Sequence, residues 1–405
     1  MLSRLIKSDS LRSAVAFAGG GVGFAAGNIL LAKILSPASF GVVTLALALN
    51  QFGLTFGPFG LEVVANRHRP RVDRRLALLA SSAAAITAIG VAVIAAAYYH
   101  LSAAIVALIL AMVIGSATNR VCVALFQGEG RFRAAMSLSQ VHNYVLLVVA
   151  ILAAVLVIHN DIFVVSVVAA AYVLSSGLGW WWARRTVNSG REPINAVLAL
   201  REGAAALGIG VAVQLLSQFE RLAIPKIGSL PMLGTYAVLA AVVGSPFRML
   251  QAGTSFSLLP RLRSVTSAAA ARSVILREGA AAASVSAVSV IVVIVAAPWI
   301  FRNLLSGKYI IGWDLIWASI AVGMLKVWEG FSTTAVTACG SAKSLAAISV
   351  LAWICLVIAA AGMAYGSRYG LVGILYGVGL AWILLASGGT FLAVRSFKTR
   401  FAGSP

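Results

Sequence analysis

Acidic residues are scarce in this chain of 405 residues. Only 11 are Asp or Glu, and charged residues of both signs make up 10%, against about 25% in ordinary soluble domains. So few polar groups cannot cover a water-soluble core of this size, which excludes a soluble enzyme. Cysteine is nearly missing. Cys122, Cys339 and Cys355 are odd in number and lie in apolar runs, which excludes a disulfide framework. The four histidines, His68, His100, His142 and His159, show no metal-ligand spacing, so no metal site is expected. Long polar segments are absent too, which leaves no room for a soluble domain or a large loop-borne catalytic centre.

What is present is apolar: 61% of residues, with a mean hydropathy of +0.98. A bilayer core of about 30 Å takes roughly 20 apolar residues per helix. Twelve such stretches begin near Ser13, Ser39, Leu76, Ser102, Met136, Asp161, Glu202, Met232, Glu278, Trp313, Ser344 and Gly370. The expected fold is an all-α polytopic membrane protein of about twelve transmembrane helices. Arg4, Lys7 and Arg12 before the first run mimic a signal peptide, but the run is too long and a helical hairpin follows, so it reads as helix 1.

The excess of 31 Lys and Arg gives a net charge of +20. In a soluble chain it would suggest nucleic acid; here it reads as topology. With a cytoplasmic N-terminus, 22 basic residues fall in inside segments, 5 in outside segments and 4 within helices. Both termini are therefore expected on the cytoplasmic side. Trp180, Trp181 and Trp182, just before Arg184, read as an interfacial anchor.

An internal repeat appears at a shift of 193 residues. Lys33-Ile34-Leu35-Ser36-Pro37-Ala38-Ser39-Phe40-Gly41 lies over Lys226-Ile227-Gly228-Ser229-Leu230-Pro231-Met232-Leu233-Gly234. A weaker echo sets Gly130-Arg131-Phe132-Arg133 beside Gly340-Ser341-Ala342-Lys343. Two six-helix lobes are expected, residues 1–190 and 191–405, related by a pseudo-two-fold axis along the membrane normal.

Two nucleotide-like motifs fail on context. Gly21-Val22-Gly23-Phe24-Ala25-Ala26 fits a dinucleotide pattern but lies inside helix 1 with no strand before it. Gly19, Gly23 and Gly27 read instead as a small-residue face for close helix packing. Gly340-Ser341-Ala342-Lys343-Ser344 has Ala342 where a phosphate loop needs Gly, so no ATPase site is expected. No catalytic residue is assigned.

Ionisable residues inside the membrane cost about 2.5–3.5 kcal/mol on insertion scales and usually face a cavity or one another. Arg248 lies near Pro246, and Lys326 has Glu329 three residues on. Arg221 adjoins Glu220, and Arg120 lies about two turns from a helix end. These cations could line a cavity for an anionic substrate, or snorkel, or pair structurally. Asn28, Asn50, Gln51, Gln214, Gln218 and Gln251 could line a sugar path or bond helices together.

Four segments resemble, in order, polysaccharide flippases of the Wzx type. These are the Leu31–Gly41 hairpin, the Phe126–Arg133 turn, Phe219-Glu220-Arg221-Leu222 with Leu233-Gly234-Thr235-Tyr236-Ala237, and Leu259-Pro260-Arg261. Lys33 and Glu220 replace an Arg and an Asp of the usual pattern and keep its charges. The resemblance implies the multidrug/oligosaccharidyl-lipid/polysaccharide (MOP) exporter superfamily: two lobes, a central cavity and alternating access. It implies a bacterial inner-membrane protein that moves a polyprenyl-diphosphate-linked oligosaccharide outward for exopolysaccharide or O-antigen synthesis. The expected substrate-binding residues are Arg248, Lys326, Arg221 and Arg120, with Glu220 and Glu329 as coupling or ion-pair carboxylates. No cofactor is expected beyond a coupling H+ or Na+. Expected partners are the lipid-linked oligosaccharide, membrane lipids, and the polymerase and glycosyltransferases of the same pathway, but no nucleic acid. The competing expectations are a cation-coupled drug antiporter of the same superfamily, a membrane glycan polymerase or ligase, and a non-transporting scaffold.

Overall fold

The computed structural model describes residues 9–187, 193–265 and 267–401. Among these residues all regular structure is helical. The expected lobe boundary at residue 190 lies outside them, as do Arg4, Lys7 and Arg191. By internal contacts the chain forms two compact units, residues 1–234 and 235–405.

The first unit opens with α1 (Asp9–Ile34), which lies along α6 (Phe132–Val155). Lipid gives helices no hydrophobic reason to associate, so close packing over small residues has to supply the attraction. Gly19, Gly23 and Gly27 form that face, as the sequence predicts: a Cβ on Gly27 would meet the Leu146 backbone at 3.0 Å. Next comes α2 (Pro37–Phe56). Ser36 caps it, its hydroxyl oxygen accepting from the Ser39 amide at 3.1 Å, and Pro37 occupies the first turn, where its missing N–H costs nothing.

The chain breaks after α2. Phe59 (φ 52°) and Gly60 (φ +75°) are left-handed, and the chain restarts as the short α3 (Leu61–His68). Gly60 meets the Gly203 backbone too closely to allow any side chain, so the break is also a contact point. α4 (Arg74–Val93) follows, then α5 (Ala103–Gly128), which packs against α2, α3, α4, α6 and α7 (Asp161–Thr186). Phe126, Ile109 and Met112 of α5 are fully buried. Trp181 and Trp182 stay largely exposed near the end of α7, with the Arg185 guanidinium 4.1 Å above the Trp181 ring. α8 (Ala196–Ile227) packs on α2 and α3.

The α9 helix (Leu230–Val242) spans the division between the units and meets α10 (Gly244–Ser264) at a 56° bend. Within the second unit, α11 (Ala268–Trp299) begins ten residues before the expected start at Glu278. Ser267 caps it, carrying Arg272 and Arg277 on a helical extension. α12 (Trp313–Cys339) packs against α10 and α14 (Gly370–Phe401), and α14 also packs on α13 (Ala342–Gly366). Arg400 near the chain end donates to the Ala338 carbonyl at 3.0 Å and the Arg263 carbonyl at 3.3 Å, tying the ends of α10, α12 and α14 together.

Among the described residues, eight stretches are long and apolar enough to cross a membrane, or nine with the bent pair α9–α10. One of them, Ala342–Phe401, holds both α13 and α14, so α1 and α8 bring the rods to twelve. The chain is an all-α, multi-pass membrane protein.

Candidate functional site

The expected intramembrane charges divide between the two units, which are treated separately. In the second unit the bend between α9 and α10 places Arg248 early in α10, half-buried, where its Nη2 donates to the Ala240 carbonyl at 3.1 Å. Lys326 sits midway along α12 with its ammonium 5.1 Å from the centre of the Trp382 ring. A partly desolvated cation over an indole face gains about 1–2 kcal/mol, which offsets part of its burial. Trp382 itself is 1% exposed, so the ring is fixed by packing.

Glu329 follows Lys326 by less than one helical turn and is 2% exposed. Its Oε2 accepts from Gln251 Nε2 at 3.2 Å and its Oε1 from Thr333 Oγ1 at 2.7 Å. These two neutral donors stabilise the carboxylate from α10 and from its own helix. The approach that allows this is set by Gly330, where a Cβ would lie 2.6 Å from Gln251 Cγ. The structure therefore brings Lys326, Glu329, Gln251 and Trp382 into one polar cluster built on α10, α12 and α14. Thr333 and Trp382 have no charge, and nothing in the sequence singled them out.

In the first unit Arg120 meets a carboxylate. Its Nε lies 3.6 Å from Glu62 Oε1, an ion pair between α5 and α3. Arg221 Nη1 donates to Gln218 Oε1 at 3.2 Å, one turn back on α8. Glu220 is fully buried. Asn50, one of the polar residues in an apolar helix, accepts from Ser116 Oγ at 2.8 Å, a helix-bonding role. Asn28 donates to the Phe24 carbonyl of its own helix at 2.8 Å.

The few carboxylates are the informative signal. Glu62 takes Arg120, Glu202 takes Arg67 at 2.9 Å and His68 at 2.7 Å, and Glu278 pairs with Arg261. In a chain with so few acids, these three carboxylates each mark a polar contact between helices. Glu62 was open to that reading. No group of three or more potential metal ligands occurs among the described residues.

The fold has close solved counterparts. An inward-facing multidrug resistance MATE family transporter of the MOP superfamily superposes with a TM-score of 0.70 at 13% identity, covering 97% of this chain and 100% of that one. An outward-facing MATE structure gives 0.55 at 14% identity over 99% of each chain. A MOP superfamily transporter from Pyrococcus furiosus, whose description cites reversed polarity of its binding pocket, gives 0.50 at 14% identity over 98% of each. No curated protein matches the chain. Helix order and these likenesses define the fold, that of MOP superfamily transporters. More narrowly, the profile of a family described as polysaccharide biosynthesis protein matches residues 30–311, and the chain belongs to that family. Both findings agree with the Wzx-type resemblance of the four sequence segments.

Proposed function

We propose that this protein is a flippase carrying a polyprenyl-diphosphate-linked oligosaccharide from the cytoplasmic to the outer leaflet of a bacterial inner membrane, by alternating access. The observation that carries the reading is the pair of half-buried cations, Arg248 and Lys326, in apolar helices of a chain from a polysaccharide biosynthesis family. A diphosphate cannot enter hydrocarbon unaided, because stripping its hydration costs far more than any single contact returns. Fixed cations and hydroxyl-rich walls replace that hydration, while the polyprenyl tail stays in lipid. No bond is made or broken, so no catalytic constellation is required.

In this reading Arg248 and Lys326 neutralise the diphosphate, with Arg221 and Arg120 as secondary cations. Both termini face the cytoplasm, following the basic-residue distribution. Glu329 and Glu220 are the carboxylates through which H+ or Na+ coupling would act. The lobes are residues 1–190 and 191–405. Partners are the lipid-linked glycan, membrane lipids, and the polymerase and glycosyltransferases that use the same carrier.

The test is reconstitution in proteoliposomes with a fluorescent polyprenyl-diphosphate oligosaccharide. The double variant Arg248→Gln/Lys326→Gln is expected to reduce flipping at least tenfold. Flipping that continues at the wild-type rate rejects the assignment. Imposed H+ and Na+ gradients examine coupling in the same vesicles, and indifference to both rejects it. Buried Glu329 favours one other reading, a cation-coupled small-molecule antiporter, which predicts dye efflux driven by those gradients and no glycan-lipid movement.

A further inference from the structure

An open cavity of about 380 Å³ lies in the first unit, where α6 begins and α7 ends. It is lined by Gly130, Arg131, Phe132, Arg133, Ala134 and Trp182. None of these residues belongs to the polar cluster or to the ion pairs described above. We propose that this cavity is a headgroup site for an anionic phospholipid of the bilayer, with an acyl chain lying along the exposed face of α7. The inference does not depend on what the protein carries.

Charge is the first reason. Arg131 and Arg133 are both exposed, and neither guanidinium has an ion-pair or hydrogen-bond partner among the described residues. Glu129, the carboxylate nearest in sequence, is not part of the wall, and its Oε1 is buried. The cavity is therefore cationic, with no acid in its lining. A phosphodiester stays ionised and matches the planar donor fork of a guanidinium. The internal repeat sharpens the point. At the corresponding place in the second unit Ser341 caps α13, its hydroxyl accepting from the Ser344 amide at 3.4 Å. In the first unit Arg131 takes that position, and no side chain caps α6. The first-turn amides of α6 thus add their partial positive charge to that of the two arginines.

Apolar surface is the second reason. Trp182 forms one wall, and its ring packs on the buried Phe126 ring with centroids 4.9 Å apart, so the wall is fixed. Phe132 is 51% exposed. Leu174, Leu178 and Trp181 are each more than half exposed. Their spacing places them on one face of α7, a stripe that ends beside Trp182. Tryptophan favours the lipid–water boundary, which sets the arginines at headgroup depth and the stripe in hydrocarbon. A free inorganic anion would use only the arginines, whereas an amphiphile uses both surfaces. A glycerophospholipid is the amphiphile that always surrounds such a stripe, and its single phosphodiester needs no more than these two cations. A zwitterionic head brings a cation of its own against the arginines, so the site selects by net charge.

The test is native mass spectrometry of the full-length protein in mild detergent. The probes are phosphatidylglycerol, phosphatidylethanolamine and phosphatidylcholine of equal chain length, with inorganic phosphate and a polyprenyl diphosphate as competitors. Phosphatidylglycerol is expected to remain bound in preference to the two zwitterionic lipids. Arg131→Gln/Arg133→Gln should weaken that binding about fivefold for each guanidinium, or roughly 25-fold together. Arg131→Lys/Arg133→Lys should keep most of it. Arg74→Gln/Arg75→Gln removes the same charge from another exposed pair and should leave it unchanged. A photoreactive phosphatidylglycerol should label the wild-type protein at Phe132–Ala134 and Leu178–Trp182, a readout that needs no variant. Four results overturn the inference. They are equal binding of all three lipids, a preference that survives Arg131→Gln/Arg133→Gln or is lost equally in Arg74→Gln/Arg75→Gln, labelling only at other helices, and displacement of phosphatidylglycerol by inorganic phosphate or by the polyprenyl diphosphate. The last would assign the cavity to a free anion or to the carried lipid.

Discussion

Gly41 and Gly234 press on each other's hairpins: Gly41 lies against the Leu230 carbonyl oxygen and Gly234 against that of Pro37. Each glycine sits four residues past the residue that its counterpart touches, and the two sites are related by the 193-residue shift. The contact is therefore reciprocal, with local two-fold symmetry. Ser229 reinforces the equivalence, since its hydroxyl accepts from the Met232 amide at 3.2 Å much as Ser36 accepts from Ser39. The repeat is thus a pair of capped hairpins that meet backbone to backbone, and no side chain fits at either glycine.

Gly41→Ala and Gly234→Ala should each destabilise the protein by about 1–3 kcal/mol, the usual cost of overpacking. Because both force the same pair of hairpins apart, the double variant should lose less than the sum. Thermal melting in detergent measures all three. Additive losses would show that the two contacts act independently.

Helix positions, the glycine face of α1 and the repeat were readable from the sequence because each follows from hydropathy, small-residue spacing or a direct match of residues. A second element of the repeat was not readable. α4 and α11 both end in a π-helical turn, Ile94–Tyr98 and Ile300–Leu304, each followed by a left-handed residue, His100 and Ser306. The backbone bonds correspond as well, Tyr99 N to Ile94 O and Leu305 N to Ile300 O. The two segments share almost no side chains, so nothing in the residues announces the geometry. The candidate site shows the same limit. Lys326, Glu329 and Arg248 stand out as charges in apolar runs. Trp382 joins Lys326 only through the packing of α14, Thr333 joins Glu329 across one turn of α12, and Glu62 meets Arg120 across 58 residues of chain.

Removing the helix caps gives a second measurement. Ser36→Ala and Ser229→Ala each leave a first-turn amide without its acceptor, which should cost about 0.5–2 kcal/mol. Similar losses are expected at the two sites because the motif is the same. A loss at only one would mean that the other amide has found a replacement partner.

Glu329 separates polar satisfaction from charge. Glu329→Leu strands the Gln251 amide and the Thr333 hydroxyl, and lost bonds between membrane helices average about 0.6 kcal/mol. Leaving the donors buried adds to that. Glu329→Gln keeps the shape and an acceptor oxygen, so it should melt closer to wild type than the Leu variant does. Under the flippase proposal, with ion coupling through this residue, Glu329→Gln should also abolish the response to an imposed gradient while remaining folded.

Glu202 predicts a pH dependence at the Arg-rich end of the first unit. It lies early in α8, and its carboxyl is held below the usual carboxylate value of 4.5, chiefly by its hydrogen bond with His68 and further by Arg67. A carboxyl whose native pKa is depressed binds its proton more readily in the unfolded chain, so its contribution is complete above the unfolded value. That contribution disappears as pH falls through the native value, which lies below 4.5. The attachment of α8 to α3 should therefore weaken only in strongly acidic buffer, on the same side of the molecule as the Gly60–Gly203 contact. Glu202→Gln should melt below wild type at neutral pH, and the gap should close as the buffer is taken below that range. Protease cleavage after Arg67 and Arg69 should follow the same course, slow in wild type at neutral pH and faster in the variant. A gap that stays constant across the acid range would show that the carboxylate's charge contributes nothing to holding α8 in place.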